Sequence, residues 1–278
     1  MKRLLSIELQ KLWKNTASRV LIISYFVLLS FIALIASIKF NIGGQEFRIA
    51  DQGIFNFPFI WHFNTYIAAI LKIFLAVVIV SMTANEYSYG TIKQNLIDGL
   101  SKKEFITSKL FTVGLFALGS TIFIGILSLI LGYGFSSYNE FSIVIMDVDY
   151  LFAYFVKLVG FFSFCLFLGV FVKRSAFALG FLALWYFVEK IIYGLLKWQF
   201  FENTNVAENI CRFLPLESMS NLILNPFQRM SFIKNLEQQV GFINDTDYSV
   251  NYGQLTIVAV WIFLFAFFSY KLIKKRDL

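Results

Sequence analysis

Three stretches of this chain, residues 20–38, 110–135 and 250–270, contain no charged side chain. A helix needs about 20 apolar residues to cross about 30 Å of hydrocarbon, so each stretch can span a bilayer. A water-soluble fold would have to bury all three on every side, and the composition offers little polar surface for that. Apolar residues make up 58% of the 278 and charged residues 15%, with 35 phenylalanines, against roughly 45–50% and 25% in soluble domains. The sequence reads as a membrane protein.

Three further apolar runs are interrupted by charge: 62–82 by Lys72, 149–172 by Lys157, and 175–197 by Glu189 and Lys190. Six transmembrane helices are therefore expected, over 20–38, 62–82, 105–135, 149–172, 175–197 and 252–273. A closed barrel is the other structure that satisfies its backbone in lipid, but its strands alternate polar and apolar residues, and these runs do not. The expected fold is an all-α polytopic membrane protein, one domain over residues 1–278. Charges inside spans are expensive, which makes Lys72, Lys157 and Glu189 candidates for a functional pathway. At about 1.5 Å per residue, Lys157 and Glu189 lie roughly 12 Å deep and Lys72 roughly 15 Å. That shared depth suggests that Glu189 pairs with Lys157, that Lys190 turns outward, and that Lys72 joins the pair or faces the pathway.

Lys and Arg fall unevenly: fifteen lie in 1–19, 83–109, 173–174 and 271–278, and six in the longer segments of the opposite side. The positive-inside rule then puts both termini in the cytoplasm, in a multi-pass protein of the cytoplasmic (inner) membrane. The same asymmetry accounts for the net charge of +7, so no nucleic-acid partner is implied. Residues 1–19 place Leu4, Leu5, Leu9, Leu12 and Trp13 near one stripe, with Lys2, Lys11 and Lys14 toward the other side. This is the pattern of a helix lying among membrane lipid headgroups, and it lacks the continuous apolar core of a cleavable signal peptide. The aromatics of "FNFPFIWHF" and His62 suit the outer interface. Residues 198–251 form the largest non-spanning piece, an extracytoplasmic segment of short helices with Pro215 and Pro226 as breakers. Cys165 falls in a span and Cys211 outside one, so neither a disulfide nor a metal site is expected.

No G-x-x-x-x-G-K-[ST] phosphate loop, G-x-G-x-x-G, H-E-x-x-H, C-x-x-C or G-x-S-x-G occurs. The chain is thus expected to be no enzyme and to bind no cofactor of its own. If it moves something uphill, the energy comes from a partner or an ion gradient.

The most polar part of the first half is "EYSYGTIKQNLIDGLSKKEFITSK", residues 86–109, between the second and third spans. Its centre reads as a short helix in which Gly90 permits a sharp entry, Thr91 caps, and Ile92 and Leu96 share a side. The stretch resembles the membrane subunits of ABC-2 type transporters, the type V ABC exporters. The match is E-x-x-x-G-T at Glu86, Gly90 and Thr91, then L-x-x-G-L-S-K-K-E-F from Leu96 and a lysine at Lys109. Where many members carry Pro and Arg, this chain has Leu100 and Lys102. The interfacial first helix, six spans with both ends inside and the large outer segment before the last span fit the same family.

The resemblance implies that region 84–101 is a coupling helix docking into a separate soluble ATPase through Glu86, Tyr87, Gly90, Thr91, Ile92 and Leu96. It further implies two ATPase copies, which would hold the ATP and Mg, and a second copy of this permease or a paralogous one, all assembled among membrane lipids. The alternatives are a gradient-driven secondary carrier, for which the sequence shows no inverted repeat, and a non-transporting membrane scaffold.

Overall fold

The computed structural model describes residues 2–42, 45–200, 204–230 and 246–276. Helix α1, Lys2–Lys14, ends where the Asn15 side chain accepts from the Ser18 backbone N–H and starts α2, Thr16–Ser37. The chain then makes a short antiparallel ribbon, β1 (Phe40–Ile42) with β2 (Gln45–Phe47), pairing Phe40 with Phe47. This ribbon is the one departure from the all-α expectation among the described residues. Next come α3 (Phe59–Leu71), α4 (Ile73–Ser88), α5 (Thr91–Ile97) and α6 (Lys102–Phe135). They are followed by α7 (Phe141–Ile145), α8 (Asp149–Val172) and α9 (Ser175–Leu195). Two short helices, α10 (Thr204–Cys211) and α11 (Pro215–Ser220), precede α12 (Tyr252–Lys275).

Five of these helical segments are long and apolar enough to cross a membrane, and the α3–α4 pair makes a sixth span if taken together. The protein is an all-α, multi-pass membrane protein in its spanning part. The expected span 62–82 is not a single rod: α3 and α4 meet at a 44° bend. Lys72 sits at the joint, where its carbonyl accepts from the Ala76 N–H at 2.9 Å and opens α4.

Helix α8 is the axis of the bundle. Its spanning window is 67% buried, against 28% or less in the other four single spans, because α4, α6, α9 and α12 all pack on it. Gly160 allows this on one side, since a Cβ there would lie 3.0 Å from Val258 Cγ1 of α12 and 3.2 Å from Met219 Cε of α11. Without hydrophobic drive between helices in lipid, small residues and polar contacts do the selecting. Tyr154 of α8 supplies one such contact, its hydroxyl lying 2.7 Å from that of Tyr25 in α2 and 2.8 Å from Ser120 Oγ in α6.

The aromatics expected at a membrane interface are instead inside. Phe55, Phe57 and Trp61 are buried, and Trp61 Nε1 donates to the Val144 carbonyl at 2.8 Å. His62 is likewise fully buried: it stacks on Tyr150 with ring centroids 4.3 Å apart. Its Nε2 lies 2.8 Å from the Leu224 carbonyl, and Arg229 Nη1 approaches Nδ1 at 3.0 Å. Arg229 can only donate, which puts the ring proton on Nε2. These rings close the end of the bundle remote from α5.

Candidate functional site

Seven residues are too few to hold a helix in isolation, where about 12–15 are marginal, so α5 depends on what brackets and anchors it. Gly90 enters it at φ 69° and Gly99 leaves it at φ 95°, both in the left-handed region that glycine occupies without steric cost. Thr91 does not cap forward: its hydroxyl lies 3.5 Å from the Glu86 carbonyl behind it. Ser101 caps the following helix, accepting from the Glu104 N–H at 3.2 Å while Glu104 Oε2 accepts from the Ser101 N–H at 3.0 Å. That reciprocal box fixes where α6 begins.

The two faces of α5 differ sharply. Ile92 is buried in a cluster with Phe105 and Ile106 of α6, Val170 of α8 and Ile273 of α12. On the other side Thr91, Lys93 and Gln94 are exposed, as are Tyr89 at 77% and Ile97 at 84%. Lys93 and Ile97, four residues apart within α5, share a side, and Tyr89 lies just before the helix, across the Gly90 turn.

Beneath α5 lies a quartet of charges. Lys109 of α6, with no exposed surface, donates to Glu86 Oε1 of α4 at 2.8 Å and also to Glu8 of α1. Lys11 of α1 reaches the same Glu86 oxygen at 3.1 Å and Glu8 at 3.2 Å. Two carboxylates and two ammoniums thus pin α1 and the ends of α4 and α6 to one another. Partial burial pulls Lys11 down, but the Glu86 and Glu8 carboxylates outweigh it and hold its pKa above the ordinary lysine value. Lys109 is charged only at the expense of desolvation that two carboxylates must offset.

Of the residues expected to dock a partner, Glu86 and Ile92 face into the bundle, Leu96 is half-buried, and Gly90 and Thr91 are exposed. Tyr87 lies under Arg276, whose guanidinium is 5.6 Å from the ring centroid and donates to the Val170 carbonyl at 2.5 Å and the Phe171 carbonyl at 3.1 Å. Arg276 therefore ties the end of α12 to the end of α8. Sequence reasoning missed Glu8, Lys11, Arg276, Tyr89 and Ile97. Glu8 carried a readable signal, because it stands four residues from Leu4 and Leu12 on the apolar stripe of α1.

The charges inside the spans do not meet as expected. Among the described residues Glu189 pairs with no lysine; it accepts from Trp185 Nε1 at 2.8 Å and from the backbone N–H groups of Leu216 at 3.0 Å and Glu217 at 2.8 Å. The carboxylate caps α11, whose free N–H groups and positive dipole end supply what a cation would have supplied. Pro215 starts this helix instead of breaking it, as a missing N–H allows at a first turn. Lys157 donates to the Ser220 carbonyl at the other end of α11, at 3.3 Å. Lys190 turns outward as expected and pairs with Glu217 at 2.7 Å. Lys72 joins none of them. Its ammonium stands 4.4 Å from the centre of the Phe161 ring.

An all-α bundle with this layout defines a class, multi-pass membrane proteins with a short helix wedged under one end. A family model described as a protein of unknown function (DUF2705) matches residues 28–278, and the chain belongs to that family. Among curated proteins none matches the chain.

Proposed function

We propose that this chain is the transmembrane permease subunit of an ATP-driven exporter of the ABC-2 type, in the cytoplasmic membrane, with both termini and α5 on the cytoplasmic side. The observation that carries this reading is the two-faced α5. One face is sunk among the ends of α6, α8 and α12 through Ile92, and the other leaves Lys93 and Ile97 exposed, with Tyr89 exposed at the turn that enters the helix. A push on the exposed face travels through Ile92 and the Glu86–Lys109–Glu8 contacts into three spans and α1. The missing phosphate loop assigns hydrolysis to a separate soluble ATPase, present in two copies with ATP and Mg, and a second permease completes the assembly.

The docking residues are then Tyr89, Lys93 and Ile97, while Glu86, Tyr87 and Ile92 act from inside as the anchor. An aspartate in a docking groove costs a few kcal/mol, about a hundredfold in affinity. Purification of the tagged chain from native membranes is expected to recover an ATPase, and Ile97→Asp to lose it with the thermal stability of the membrane chain unchanged. Recovery of the wild-type chain without any ATPase, or an Ile97→Asp variant that retains it fully, overturns the proposal.

A further inference from the structure

Between α4, α8, α9 and α11 lies a cavity of about 590 Å³, at the level of the α3–α4 bend. Its walls are aliphatic and aromatic, with Ile73 and Val77 on one side, Leu182 and Phe187 on another, and Phe161 behind. Four charged side chains also reach it: Lys72, Glu189, Lys190 and Glu217. Three of the four are accounted for. Glu189 accepts three N–H groups, and Lys190 and Glu217 hold each other. Lys72 has neither a hydrogen bond nor an ion pair among the described residues, only the face of Phe161. A ring face replaces only a fraction of an ammonium's hydration, so the site lacks an anion.

Apolar walls around one unsatisfied cation select a ligand that is greasy along its length and negative at one end. The volume falls within the range of small-molecule sites, about 300–1,000 Å³. We propose that this cavity binds a single-chain amphiphile with an anionic head, a carboxylate or a phosphate, whose head pairs with Lys72 and whose tail lies between α4 and α9. Lys72 is suited to this because it stands at the joint of the bent pair and lines the cavity. The site goes beyond the coupling reading and needs no ATPase, so its test is independent of that reading.

The purified chain in nanodiscs of zwitterionic lipid is titrated with palmitate, with lysophosphatidic acid of the same chain length, and with the neutral monoacylglycerol. Saturable binding of one or both anions is expected, with the neutral compound at least tenfold weaker, and the stronger of the two anions names the head. Lys72→Gln is expected to weaken the anions about tenfold or more, the loss of one charge-assisted hydrogen bond, while Lys72→Arg stays within a few-fold of wild type. Leu182→Trp, which fills the cavity from the α9 side, is expected to abolish binding of all three. Absence of saturable binding overturns the proposal, as do equal affinities for the neutral and anionic compounds on the wild-type chain. That comparison decides the matter even if a variant fails to fold.

Discussion

Glu86 and Glu189 are both carboxylates buried in an apolar bundle, and the protein deals with them in opposite ways. Glu86, under α5, is met by the ammoniums of Lys109 and Lys11. Glu189, at the far end of the bundle, is met by two backbone N–H groups and an indole. The first arrangement binds α1, α4 and α6 together and fails if its buried lysine is lost, since the carboxylates it met stay buried. The second holds one short helix against one span. Ion pairs thus join separate long helices at one end, and backbone N–H groups hold a short helix against a span at the other.

The comparison is tested hardest at Lys109. Replacing it by Met leaves Glu8 and Glu86 facing each other with only the half-exposed Lys11 between them, and a loss of roughly 3–5 kcal/mol is expected. Thermal unfolding in detergent reads this, and the triple variant Glu8→Leu, Glu86→Leu, Lys109→Met is expected to regain most of the loss. An unchanged melting temperature in Lys109→Met would mean that the quartet does not hold the α5 end together.

At the opposite end the expected effects are smaller. Glu189→Ala leaves the Leu216 and Glu217 N–H groups without an acceptor, at a cost of about 1–3 kcal/mol, read most directly as faster hydrogen exchange in α11. The double swap Lys157→Glu with Glu189→Lys is expected to rescue neither single variant, because the two residues contact opposite ends of α11 and not each other. Rescue would show a direct pair and erase the contrast between the two ends.

The smallest effect belongs to Lys11, whose side chain is 42% exposed. Lys11→Ala is expected to cost at most about 1 kcal/mol. Because its pKa is raised in the folded chain, its contribution is complete below the ordinary lysine value of about 10.4 and is lost as the pH climbs through the raised one. The stability gap between wild type and Lys11→Ala should therefore be flat from neutral pH to about 10 and close only above it. A gap that closed near pH 7 would assign the effect to another group.

Much of this was legible in the residues. Charge-free runs longer than a bilayer marked the spans, and Gly90 marked the entry to α5, because both follow from local physics. The structure adds that Ser101 and Glu104 form a capping box inside the stretch that resembles a transporter motif, so part of that motif has a plain local reason. What the sequence could not show was choice of partner. Lys157 and Glu189 share a depth, and depth alone favoured a pair; the outcome turned on α11, whose N–H groups return from the segment of short helices that was placed outside the spans. Ile92 and Glu86 looked like surface residues because they sit in a polar stretch, yet the ends of three spans meet there and cover them.

The Glu189 cap also bears on how the chain is made. Helix α9 has the lowest mean hydropathy of the five single spans, 1.5 against 2.0 to 2.6 for the others. Its carboxylate finds its backbone donors at Leu216 and Glu217, 27 and 28 residues further along the chain. At about 5–20 residues per second of synthesis, those donors arrive more than a second after the carboxylate has left the ribosome. During that interval Glu189 has only Trp185 from its own helix. Settling of α9 in the bilayer and arrival of α11 are consequently one event in biogenesis, completed backward, with a later segment finishing the burial of an earlier one.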